Sequence, residues 1–73
     1  MKVKVYGDWF NNLEVIRSEI FESLTRIAKN YAIIHETDYI GRKRPVLLLE
    51  INDDDFGKVV ETCEFLGCVA IKA

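Results

Sequence analysis

The run Arg44-Pro45-Val46-Leu47-Leu48-Leu49-Glu50-Ile51 limits what this chain can fold into more than any other feature. It is a short apolar stretch between a basic Gly/Pro turn and an Asn/Asp cluster, the signature of a buried strand. Side chains alternate along a strand, so Leu47, Leu49 and Ile51 share one face of a sheet while Val46, Leu48 and Glu50 share the other. One face is wholly apolar and the other mostly so. A strand of that kind sits at the centre of a sheet and asks for cover on both sides, yet the rest of the chain supplies elements for only one.

Seventy-three residues make one domain, 1–73, near the small end of what folds alone. A chain of this size hides only about 60% of its unfolded surface, so a hydrophobic share of 49% is high for a solitary domain, while a charged share of 30% suits one in water. No apolar run approaches the ~20 residues of a membrane span. Met1-Lys2-Val3-Lys4 leads straight into alternation rather than into a signal-peptide apolar region, so the expectation is an intracellular, cytoplasmic protein without a membrane partner. A net charge of −2 with both signs mixed gives no general attraction to nucleic acid or acidic membrane.

Lys2-Val3-Lys4-Val5-Tyr6 alternates strictly and reads as a half-buried strand. Gly7-Asp8 breaks it. Asn11 with Glu14 three residues on resembles a capping box, and Leu13, Ile16, Ile20, Leu24 and Ile27 then form the apolar stripe of a helix running to about Lys29. Tyr31 to Ile40 is rich in β-branched and aromatic residues and reads as a second strand, with a polar second half that suits a sheet edge. Gly41 to Pro45 is the hairpin loop into the run described above. Asn52-Asp53-Asp54-Asp55 is expected to cap a second helix, whose buried stripe is Phe56, Val59, Val60, Cys63 and Leu66, with Phe65 pointing away and Gly67 closing it. Cys68 to Ala73 is the last strand, expected with Val69 and Ile71 inward. The order β-α-β-β-α-β is the ferredoxin-like arrangement. It predicts an α+β domain with a four-stranded antiparallel sheet, strands one and three central, and both helices on one face.

Several chemistries of such a fold are removed by inspection. An iron–sulfur cluster needs more cysteines than Cys63 and Cys68. These also miss the Cys-x-x-Cys spacing of redox and zinc sites, and they read as buried free thiols. A metal carrier would place Cys-x-x-Cys in the first loop, and an acylphosphatase-like enzyme would place arginine there; neither is present. The third strand has no aromatic residue on which RNA bases could stack, and the first offers only Tyr6. His35 has no assignable nucleophile or orienting acid beside it, and Asp53 to Asp55 lack the ligand spacing of a calcium loop. No cofactor, metal or catalytic set is therefore assigned.

Three candidate sites remain. Arg42, Lys43 and Arg44 form the densest positive patch, either a solvated hairpin tip or a place for a phosphate or acidic surface. The loop Gly7 to Asn12 joins strand to helix, where backbone N–H groups can receive a carboxylate. There Asp8, Trp9, Asn11 and Asn12 could form a small-ligand site, or Trp9 and Phe10 could plug the end of the core. Val46, Leu48 and Ala70 on the open sheet face, with Phe65 on an outer helix face, make the candidate interface.

The chain also resembles a small ACT-type regulatory domain. The resemblance rests on the element order, on Asp8 in the first loop, on Leu13 opening the first helix, and on Phe56-Gly57-Lys58-Val59-Val60 through Phe65-Leu66-Gly67-Cys68-Val69. Trp9-Phe10-Asn11 stands where that family usually has Pro-Gly. The resemblance implies a non-catalytic module that pairs with a second copy and binds an amino acid or similar metabolite. The function expected is thus a self-associating binding domain, with a small adaptor or inhibitor that docks on a different protein as the alternative.

Overall fold

A computed structural model describes residues 1–7 and 18–73. The elements are β1 (Lys2–Gly7), α1 (Ser18–Thr25), β2 (Asn30–Thr37), β3 (Lys43–Glu50), α2 (Phe56–Leu66) and β4 (Cys68–Lys72), with a 3₁₀ turn at Asp53–Asp55 leading into α2. The four strands form one antiparallel sheet in the order β2-β3-β1-β4. The architecture is α+β and compatible with a ferredoxin-like arrangement. Among the described residues no helix is long and apolar enough to cross a membrane.

Register fixes the two faces of the sheet. Val3 stands opposite Leu49 and Val5 opposite Leu47. These four and Ile51 are fully buried, and Ile20 and Leu24 of α1 with Val59 and Cys63 of α2 close over them in one core. The opposite face carries Lys4 beside Leu48 and Ile71, and Ile34 beside Val46.

The last strand reverses the expected orientation. Val5 pairs with Ala70 and Gly7 with Cys68, so Cys68 and Ala70 face the helices. Val69 and Ile71 lie on the open face, 57% and 52% exposed. The reason is steric: α2 ends at Gly67 and the chain re-enters the sheet at once beneath it, where small Cys68 and Ala70 let the helix pack closely on β4. Ala70 is therefore not part of the open-face interface.

Element ends also shift, each for a local reason. The expected first helix reaches Lys29, but α1 stops at Thr25. The Thr25 hydroxyl donates back to the Phe21 carbonyl at 2.6 Å, and the Lys29 N–H donates instead to Glu50 of β3 at 2.8 Å. Its expected beginning, Leu13 and Ile16 with the Asn11–Glu14 cap, lies outside the described residues. Strand β2 ends at Thr37 rather than Ile40 because Asp38 starts the turn: its Oδ1 accepts the N–H of Ile40 at 3.0 Å and of Arg42 at 2.9 Å. Gly41 supplies the positive φ of 85° that the turn requires.

The acidic run before α2 does not cap it by side chain. Neither Asn52 nor Asp55 makes such a bond. The Asp55 N–H donates to the Asn52 carbonyl at 2.9 Å, closing a 3₁₀ turn, while Asp53 lies 3.4 Å from the Met1 amino group. Gly67, at φ 78°, ends α2 in the left-handed conformation expected of it.

Burial separates residues that hold the fold from residues that do not. Leu49→Ala should cost about 2–5 kcal/mol in urea denaturation, a large part of a small domain's stability. Phe65→Ala, at a side chain 90% exposed, should change it by less than about 0.5 kcal/mol.

Candidate functional site

The uncovered sheet face is organised by two charged clusters at its hairpin end. Lys4 and Tyr6 project from β1 on this face, and Glu36 and Arg44 face each other across β2 and β3. Lys4 Nζ donates to Glu36 Oε2 at 2.6 Å, and the Tyr6 hydroxyl donates to Glu36 Oε1 at 2.7 Å. Both bonds span the central strand β3. They pass over Val46, which explains why that residue is only 1% exposed on a face that neither described helix covers. Val46 is on the expected face but is not an accessible interface residue; its neighbour Leu48 is half-buried.

Asp38 centres the second cluster. Its Oδ2 accepts from Arg44 Nε at 2.6 Å and lies 3.4 Å from Arg42 Nε. Two of the three cations of the expected anion patch are thereby paired with a carboxylate from the same turn, and Lys43 stands exposed on the other face of β3. Asp38 was not a candidate in the sequence, where it reads only as the polar end of a strand.

The electrostatics follow from these bonds. The ammonium of Lys4 and then the phenol of Tyr6 hold the Glu36 carboxyl below its ordinary value, against the effect of burial. Glu36 in turn raises Lys4 through its hydrogen bond and charge. Burial, then the bond to Glu36, raises the Tyr6 phenol. Burial works to raise Asp38, but the Arg44 bond, the backbone N–H groups of Arg42 and Ile40 and the Arg44 charge outweigh it and bring the carboxyl to about 2. Glu36 and Lys4 are each driven further into their charged forms, which is the reverse of poising a proton for transfer near neutral pH. The clusters are built to hold charge in place.

Beside them the sheet opens. Strand β1 pairs with β4 as far as Gly7↔Cys68 but with β3 only as far as Val5↔Leu47. Pro45, which has no N–H to donate, lies just past that last pair. The divergence leaves a cavity of about 410 Å³ between Tyr6 and Val69 on one side and Arg44, Pro45 and Val46 on the other, with Glu36 at its rim.

The remaining candidates are dispersed. Asp8, Trp9, Asn11 and Asn12 lie outside the described residues. Phe65 is exposed on α2, two residues beyond buried Cys63 and so on the surface turned away from the sheet. His35 is exposed on edge strand β2, opposite Pro45. Cys63 and Cys68 are free and buried, and burial pushes the Cys63 thiol up to about 12. Among the described residues no three His, Cys, Asp or Glu side chains come together as a metal set.

The sequence reading missed Lys4, Glu36, Asp38, Val69 and Ile71. A signal for the first pair was present, since the polar face of the first strand carries lysines and the second strand a glutamate, but a bridge across an intervening strand needs the sheet order to be seen. Comparison of the chain with protein-family models, with curated proteins and with solved structures finds no match.

In a carboxyl-detected NMR titration, Glu36 should titrate below its ordinary 4.5, and Lys4→Met should move it back toward that value. Asp38, lowered from 3.8 to about 2, contributes stability that is present above 3.8 and lost as pH falls through about 2. Asp38→Asn should therefore flatten the dependence of melting temperature on pH across that window.

Proposed function

We propose that this chain is a non-catalytic binding domain of the ferredoxin-like βαββαβ type that associates with a second copy through its uncovered sheet face. The supporting observation is the pattern on that face. Ile34 and Val46 lie beside Tyr6 and Val69, and Ala32 and Leu48 lie beside Lys4 and Ile71. Together they form a band two residues deep across all four strands. Asn30, Glu50 and Lys2 border it at one end, and Glu36 with Arg44 at the other. Apart from Lys4, whose ammonium is drawn to Glu36, and the sheltered Val46, the band is an apolar surface with a polar rim, the usual anatomy of an interface, and Val69 and Ile71 are the large apolar side chains it leaves most open to water. The resemblance to ACT-type domains fits this reading, including the binding of a small metabolite, and two free thiols suit a reducing compartment such as the cytoplasm.

A second reading has its own observation. β2 pairs on one side only, and Tyr31 and Ile33 on it are 48% and 43% exposed. A free edge of this kind can accept a strand from a different protein, which is how a small adaptor or inhibitor would dock.

Sedimentation equilibrium at micromolar concentration separates the two. A mass that rises with concentration is expected. Ile71→Lys and Leu48→Lys should each weaken association by about tenfold or more by placing a charge in the band, while Phe65→Ser should leave it unchanged. A strict monomer would remove self-association and leave the edge strand as the docking element. Loss of association in Phe65→Ser alone would move the interface to α2.

A further inference from the structure

We infer that the cavity where β1 and β3 diverge binds a small organic monocarboxylate, with its carboxylate on the terminal nitrogens of Arg44 and its apolar body against Tyr6 and Val69. The inference rests on the reading of this chain as a binding domain, but not on its self-association.

The anion anchor follows from how Arg44 is held. Its Nε donates to Asp38 Oδ2 at 2.6 Å, and among the described residues the rest of the guanidinium makes no further hydrogen bond or ion pair. A guanidinium fixed through Nε keeps its outer edge in a set direction, the geometry that receives a planar carboxylate in two parallel bonds. Asp38 belongs to the turn it also closes through the N–H groups of Ile40 and Arg42, so the anchor is rigid before any ligand arrives.

The walls select the rest of the molecule. Pro45 and Val46 line it on the β3 side, and Tyr6 and Val69 line it on the side of β1 and β4. A volume of about 410 Å³ lies in the range of small-molecule sites. The carboxylates of Glu36 and Asp38 at the rim disfavour a second negative charge on the ligand, which argues against phosphate. Glu36 already holds the ammonium of Lys4 and the phenol of Tyr6, one on each oxygen. A ligand ammonium would have to compete with Lys4, so a plain acid is preferred to the matching amino acid.

The test is a ¹⁵N–¹H NMR titration of the whole chain with 4-methylpentanoate, leucine and inorganic phosphate as separate probes. Saturable shifts are expected for 4-methylpentanoate at Tyr6, Arg44, Val46 and Val69, with at least tenfold weaker binding of leucine and phosphate. Arg44→Gln should weaken binding by about tenfold. Because that change also touches the hairpin, Val69→Glu serves as the second variant: it leaves Asp38 and its turn intact and should weaken binding by a similar factor through repulsion. Absence of saturable shifts, equal or tighter binding of leucine or phosphate, or unchanged affinity in both variants would overturn the inference. A monomer that binds the acid would sink the proposed self-association alone, and a dimer that does not bind it would sink this inference alone.

Discussion

The antiparallel pairing of β1 with β3 is the contact on which the rest of this structure depends. It sets Val3 against Leu49 and Val5 against Leu47, and those four side chains form the floor on which both helices rest. With the two most buried strands at the centre, β2 and β4 are left to the edges. Their outer backbone groups and several large side chains then face water. Among the described residues both helices close over the same face of the sheet. Whatever the domain does must be reconciled with a second face that the described helices do not cover.

The chain meets part of that problem itself. Lys4 and Tyr6 reach across β3 to Glu36 and shelter Val46, using apolar stems below and a charged bridge above. Bridges of this exposure add little stability in water, so their value here is positional: they fix long side chains in one arrangement beside the hairpin. What they leave open is the band through Leu48, Val69 and Ile71.

The same pairing also creates the cavity. The β1–β3 ladder ends at Val5↔Leu47, while β1 continues alongside β4 to Gly7↔Cys68. A strand that follows one neighbour and leaves the other must open a gap, and Pro45 stands on the far side of it with no N–H to bridge back. Arg44 is held beside this gap by Asp38, a residue whose first role is to close a turn. A local turn requirement thus places an oriented cation next to an apolar opening.

By itself the sequence determined the element types and the core of the central strands. Strict alternation in Lys2 to Tyr6 and the unbroken run from Val46 to Leu49 admit one arrangement that buries Val3, Val5, Leu47 and Leu49 together. Gly67 as the helix stop was equally legible, because few other residues adopt its conformation at so little cost. The orientation of β4 was not, since Cys68 to Ile71 is apolar on both alternations and only the close approach of α2 chooses the smaller set. Nor were the bridges to Glu36, the pairing of Arg44 with Asp38, or the cavity. The bridges and the cavity join strands that lie far apart in the chain, and the Arg44–Asp38 pair depends on how the hairpin turn folds back; periodicity reports which way a side chain points but not what is brought to meet it. Tertiary structure alone made those decisions.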